Sequence, residues 1–461
     1  MKHEVSTIQN SDMRILLATD QPFWLCRGGA QQRISCLWEA VRQTLIPATE
    51  SSSTLVYYLG DPKQAPDSTN QIDIGQVVAA CHEHSVASVP AWSWIRNSLK
   101  AASQAWTGER AEIKDSTPGA TPSGPAPRSL SLNDYRWTWV EKHWNETVAN
   151  FRPDIVILEY VTMTYLIDYT HGRQRHQIVW AVDTHDCLSQ RAAQFNAAGE
   201  EHWLRISEAA EIAALEPTDL VIAIQDSERA WFAERLQKPK VVVAGHAPKK
   251  AVSTAKLQDS ADPPTRTAGL LGSHQVGPSE LRLGLLASNN YPNRHGIAKW
   301  LSDVAPHLHE YILVVGGSIG TAVAEILNSD ERLALVKPRV RCLGNIQDLT
   351  EFYREIDVVL CPIFIGTGLK IKLVEGLSFH CPVLATLEAT ECFPVRDTGV
   401  VVCESPESWV NQIHELSSDR ERLTLLRQQA AKFANTELQP EVVYGELFRE
   451  LHTLVAKKQG V

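Results

Sequence analysis

Asp357 to Thr386, DVVLCPIFIGTGLKIKLVEGLSFHCPVLAT, is the stretch whose reading decides the fold. Asp357 precedes Val358, Val359 and Leu360, a short β-branched apolar run that suits a strand of a parallel sheet. Gly366, Thr367 and Gly368 follow as a loop without bulky side chains, which lets a ligand approach the backbone. Leu369, Leu373, Val374 and Leu377 then recur on one face of a helix; Pro382 stops it, and Val383 to Thr386 begin a second strand. Lys370 and Lys372 fall in the first turn of that helix, where the backbone dipole disfavours a cation by roughly 0.3–1 kcal/mol. A glycine turn, free N–H groups and two lysines together suit a bound anion, most naturally phosphate. The same residues also fit a solvated turn in which Lys372 merely pairs with Glu375.

On either side of this stretch the strand–turn–helix pattern repeats. In the second half, strands are expected at Leu283–Ala287, Tyr311–Val315, Arg339–Leu343 and Val400–Val402, with Arg294, Gly316, and Gly344-Asn345-Ile346 in the turns that follow. In the first half, Met13–Thr19 leads to Gly28-Gly29 and a helix from about Ala30, the opening unit of a doubly wound sheet. Further strands are expected at Ser53–Leu59, His84–Val89, Ile155–Leu158, Ile178–Val182, from Leu220, and at Val241–Val243, with helices over Tyr135–Phe151 and Leu204–Leu215. Asp183, Thr184, His185 and Asp186 stand just past a strand's carboxyl end, where open α/β sheets place ligands. They also fit a helix cap by Asp183 or Thr184 with a structural Asp186–Arg191 pair.

These runs predict an α/β fold of two Rossmann-like, doubly wound domains facing a cleft. The first domain spans 13–250, a linker 251–280, the second domain 281–440, and a final helix 441–461. Residues 104–133, rich in Pro, Gly, Ser and Thr, read as a flexible insertion, because they cannot bury enough apolar surface to offset ordering entropy. Trp92, Trp94, Trp137, Trp139 and Trp144 suit core packing first, with an apolar acceptor surface or contact with lipid headgroups as the alternative.

Composition excludes several classes. A net charge of −10 with no basic stripe argues against nucleic acid. Nine cysteines without any C-x-x-C indicate a reducing compartment, and metal-ligand spacing is absent. No apolar run approaches the ~20 residues that span a bilayer, and the first twelve residues lack a signal-like apolar core. A cytoplasmic enzyme is expected, with peripheral membrane contact left open.

GTGLKIKLVEG followed by CPVLAT resembles the donor-sugar segment of retaining glycosyltransferases of family 4 (group 1), which have the GT-B architecture. That resemblance implies a nucleoside diphosphate sugar as co-substrate, no cofactor and no metal, and an acceptor that is a glycan, lipid-linked sugar, peptide or small molecule. It assigns Glu375 to the ribose hydroxyls, and Gly366, Thr367, Gly368 and Leu369 to the donor sugar and diphosphate. Lys370 and Lys372 would neutralise the departing diphosphate, helped by Arg294. Gly316, Asn345 and Ile346 would cup the nucleobase, and Gly28-Gly29 would lie across the cleft from the phosphates. His185 and Asp186 would face the sugar and acceptor, and the last helix would return to the first domain. Two positions depart from the pattern. Thr367 stands where the family has a glutamate, and His380-Cys381 where it has a small residue and Gly. The same plan serves sugar-nucleotide epimerases, and the missing glutamate also suits a non-catalytic nucleotide-sugar binder. A dehydrogenase is disfavoured, since Cys26-Arg27-Gly28-Gly29-Ala30-Gln31 is not G-x-G-x-x-G.

Overall fold

The structure, a computed structural model, describes residues 13–46, 53–61, 64–65, 76–79, 130–172, 174–248, 280–391 and 393–460. Strands of the first half are β1 (Ile15–Thr19), β2 (Thr54–Tyr58), β3 (Gln76–Ala79), β4 (Leu130–Ser131), β5 (Ile155–Glu159), β6 (Val179–Asp183), β7 (Leu204–Arg205), β8 (Leu220–Ala223) and β9 (Lys240–Val243). Seven of them form a parallel sheet in the order β3-β2-β1-β5-β6-β8-β9, and β4 pairs with β7 apart from it. The second half contributes β10 (Leu281–Leu286), β11 (Tyr311–Gly316), β12 (Val340–Gly344), β13 (Val358–Cys361), β14 (Val383–Ala385) and β15 (Val400–Val402). They form a parallel sheet ordered β12-β11-β10-β13-β14-β15. Each sheet therefore reverses its winding beside its first strand, and that switch point opens a crevice beyond the strands' carboxyl ends.

Strands buried on both faces must be apolar throughout, which is why they appear in the sequence as short continuous runs. Along β1, Leu16 and Ala18 enter one core with Trp144 and Trp180, while Ile15 and Leu17 enter another with Ile34 and Trp38. The second of these cores also takes in Leu447, Phe448, Leu451 and Val455 of the last helix, Gly445–Gln459. Just before it, the Tyr444 hydroxyl accepts a hydrogen bond from the Ala247 N–H at 3.1 Å, tying the chain's end to the first sheet.

The structure corrects several element expectations. The third strand is Gln76–Ala79; His84–Val89 lies outside the described residues, as do Trp92, Trp94, residues 104–129 of the insertion and 251–279 of the linker. The expected helix over Leu204–Leu215 starts only at Glu208. Leu204 and Arg205 are drawn into pairing with Leu130 and Ser131, and the Ser207 hydroxyl caps the helix by accepting from Ala210 N–H at 3.2 Å. Likewise the helix expected from Tyr135 is Val140–Phe151. Trp137 and Trp144 are buried in the core and Trp139 is partly buried, so these three form no exposed stripe. Among the described residues no helix is long and apolar enough to cross a membrane.

Candidate active site

Past β13 the chain turns through Gly366 (φ +122°) and Gly368 (φ +73°), conformations that L side chains rarely adopt. The helix that follows is Ile371–Ser378, so Leu369 precedes it and Lys370 is its N-cap; only Lys372 lies in the first turn. Lys370 Nζ donates to the carbonyls of Gly366 at 3.0 Å, Thr367 at 3.1 Å and Gly368 at 2.6 Å, curling the loop around one ammonium. Lys372 Nζ donates to Asn293 Oδ1 at 2.5 Å. Asn293 is held in place twice, its Nδ2 donating to the Ser288 carbonyl at 2.8 Å and its N–H to Asn290 Oδ1 at 3.1 Å. Burial lowers both lysine pKa values from their ordinary range. One helical turn beyond Lys372, Glu375 is buried, and desolvation pushes its carboxyl up to about 7 while Lys372 pulls it back.

The facing wall comes from the carboxyl ends of β5 and β6. Glu159 Oε2 lies 2.6 Å from His185 Nε2, and Asp183 Oδ1 accepts from Arg33 Nη2 at 2.7 Å, all four side chains being buried. Burial raises the Glu159 carboxyl to about 6, with the hydrogen bond to His185 opposing it. The His185 ring stacks on Tyr160 at 4.0 Å between centroids. Both residues have positive φ, +59° and +70°, a strain of order 1–3 kcal/mol each that persists at sites where geometry serves function. The alternative in which Asp183 or Thr184 caps the next helix is not what forms; the N-cap is Cys187, and Thr184 Oγ1 donates to the Ile222 carbonyl at 3.0 Å. Asp186 does pair with Arg191 at 3.0 Å through Oδ2, leaving Oδ1 buried without a hydrogen-bond partner among the described residues. Glu159, Asp183 and His185 offer ligand atoms within 4.8 Å of one another, close enough to share a cation, though the Arg33 guanidinium already supplies positive charge there.

Between the two walls lies a cavity of about 620 Å³. Its lining includes Gly28, Gly29, His185, Asp186, Asn345, Ile346, Gly366, Thr367, Gly368, Leu369, Lys370, Lys372 and Glu375. The two walls touch. A Cβ on Gly29 would meet Ile371 at 3.3 Å, one on Gly368 would meet the Asp186 carboxyl at 3.3 Å, and the Gly366 N–H donates to Gln194 Oε1 at 3.1 Å. Two expected site residues stay out of the lining. Arg294 is exposed on the outside of its helix, and it is Asn293, one position earlier, that reaches Lys372. Gly316 packs behind the cavity, where a Cβ would meet Ile346 at 2.8 Å and Leu286 at 2.9 Å; Gly317 lines the cavity in its place. Sequence reading missed Arg33, Glu159, Gln194, Asn293 and Trp203. Only Glu159 carried a signal, as a carboxylate ending an apolar strand beside the switch point.

Residues 281–419 match the family model described as "Glycosyl transferases group 1". No curated protein matches the chain. Among solved structures, it is similar to a sucrose-phosphate synthase from Thermosynechococcus elongatus, at 14% identity and TM-score 0.62, covering 96% of this chain and 100% of that one. It is similar to Anabaena Alr3699/HepE, solved in complex with UDP and glucose, at 13% identity and TM-score 0.58 over 95% and 99% of the two chains. A glycosyltransferase from Rickettsia africae matches at 12% identity and TM-score 0.55 over 97% and 98%. At such identities the shared property is the fold, which is GT-B.

Proposed function

We propose that this chain, a GT-B glycosyltransferase with a group 1 domain at residues 281–419, moves a sugar from a nucleoside diphosphate to an acceptor hydroxyl with retention of anomeric configuration. One observation carries the reading. Lys370 and Lys372 are half-buried at the cavity, yet among the described residues neither forms an ion pair; their hydrogen-bond partners are backbone carbonyls and an amide oxygen. Positive charge with no carboxylate in direct contact, in a partly desolvated cleft, favours a strongly anionic ligand, and a diphosphate beside a glycine turn meets that need.

In this reading the bond from the anomeric carbon to the diphosphate breaks through an oxocarbenium-like transition state as the bond to the acceptor oxygen forms. The acceptor's proton passes to a phosphate oxygen of the leaving group. Lys372 stabilises the charge gathering on that diphosphate, while Lys370 keeps the loop curled to receive it. Glu375 accepts hydrogen bonds from the ribose. His185, held through Nε2 by Glu159, and Asp186 face the reacting carbon from the first domain.

A thermal-shift screen against UDP-, GDP-, ADP- and TDP-sugars should find a stabilising donor, worth about 2.7 kcal/mol at a hundred times its Kd. The product's linkage, read by NMR coupling constants, should match the donor's anomeric configuration; an inverted product defeats retention. Epimerised sugar released from donor alone, or tight binding without transfer to any acceptor, would replace transfer with those activities.

A further inference from the structure

Among the exposed large hydrophobic residues that the structure describes, Trp203 alone lines the cavity, with 43% of its surface uncovered. It is firmly seated. Its carbonyl accepts from the Leu130 N–H at 3.1 Å, next to the β4–β7 pairing. Its ring meets Tyr135 at 6.2 Å and 77°, and Tyr160 at 6.4 Å and 87°, edge-to-face geometries that fix an aromatic ring. Tyr160 in turn stacks flat on His185, so the aromatic wall runs from Trp203 to the proposed reacting end. Set among these rings are carboxylates. Asp20 lines the cavity, and Asp186, 2% exposed, has its Oδ1 buried with no hydrogen-bond partner among the described residues. A buried carboxylate oxygen left unpaired costs free energy, which a ligand hydroxyl would recover.

We propose that this wall is the acceptor subsite and that the acceptor is a carbohydrate, with the C–H face of a sugar ring lying on Trp203 and its hydroxyls bonding to Asp186 and Asp20. The proposal rests on the glycosyl-transfer reading. A sugar ring has an apolar face edged by hydrogen-bond donors, and aromatic faces interleaved with carboxylates complement both at once. A lipid chain would want a continuous apolar lining, whereas this wall sets Asp20, Gln21, Thr162 and Asp186 among its rings.

The test uses the full chain saturated with UDP, or with whichever nucleotide the thermal screen selects. Saturation-transfer NMR is recorded with methyl α- and β-glycosides of glucose, galactose and N-acetylglucosamine, with maltose and cellobiose, and with 4-nitrophenol and dodecanol as non-sugar probes. At least one sugar should receive saturation on its ring protons and accept glycosyl transfer. Trp203→Ala should then lower kcat/KM for that sugar about tenfold or more, chiefly through KM, with Trp203→Phe recovering part of the loss. Nucleotide Kd and melting temperature should match the parent in both variants, which separates lost stacking from misfolding. The carbohydrate assignment is overturned if nucleotide binds yet no sugar responds, if only 4-nitrophenol or dodecanol is engaged, or if Trp203→Ala leaves the sugar's KM unmoved. A chain that binds no nucleotide at all instead removes the transfer reading beneath it.

Discussion

The cleft's two walls are oppositely made. On the second-domain side, the cations Lys370 and Lys372 bond, among the described residues, only to neutral oxygens. On the first-domain side, among the described residues, buried Arg33 pairs with Asp183 at 2.7 Å and partly buried Arg191 with Asp186 at 3.0 Å. A paired charge has largely spent its field, and an unpaired one in a desolvated pocket has not. On the proposed reading the difference divides the work: one wall receives the anion, while the other is a paired frame around His185.

The sharpest way to break this contrast is to remove the unpaired charge. Lys372→Ala should reduce kcat by about 10²–10³, the loss expected when one preorganised group facing developing charge is deleted. Single-turnover assays at saturating donor sugar would measure it. A loss confined to KM would mean that Lys372 serves ground-state binding, and the walls would not differ in the way described.

Next in size is the frame itself. Glu159→Gln keeps the shape but trades a carboxylate for an amide against His185 Nε2, 2.6 Å away. Loss of such a supporting partner is expected to lower kcat about 10–100-fold, by analogy with the groups that orient metal-bound histidines. Because burial raises the Glu159 carboxyl to about 6, the parent's kcat at saturating donor should also change through that pH, and the variant should lose that component. An unaltered pH profile in Glu159→Gln would leave Glu159 as packing alone.

How far this contrast could be read from the sequence differs between the walls for a physical reason. The second wall is local: strand, glycine turn, lysines and Glu375 lie within Val358–Ser378, so spacing alone places Glu375 one turn past Lys372. Even there, spacing put Lys370 inside the helix. Its ammonium curls the loop instead, and that delays the first helical residue to Ile371. The first wall is assembled from afar. Arg33 meets Asp183 across 150 residues, and His185 meets Glu159 across 26. No period or motif in a single chain announces such a pair; only the β1-β5-β6 strand order does so. Trp203 was hidden for a related reason, since a helix was expected from Leu204 until pairing with Leu130 claimed that segment for the sheet.

A smaller effect sharpens the second wall. Burial holds the Glu375 carboxyl near 7, so its protonated form is favoured in the folded state. That contribution to stability is full below the ordinary carboxylate pKa and is lost as pH rises through about 7. Ribose recognition by an ionised Glu375 should run the other way, with nucleotide affinity rising severalfold between pH 6 and 8. Titrating the nucleoside rather than the nucleotide removes the phosphate's own ionisation near pH 6 from the curve. Glu375→Gln should flatten the dependence; an identical slope in the variant would detach Glu375 from the ribose.

The smallest expected effect concerns Arg294, the cation that family resemblance gave to the donor phosphate. It is exposed and outside the cavity, while its neighbour Asn293 turns inward to Lys372. Asn290 caps the helix that carries both, and this fixes which way each position faces. An arginine at the surface is screened by water and salt, and its removal there changes little. Arg294→Ala should therefore leave KM for the nucleotide sugar within about twofold of the parent at moderate salt. A rise of tenfold or more would mean that the Arg294 helix turns inward when the sugar nucleotide binds. The second wall would then hold three cations for the diphosphate rather than two.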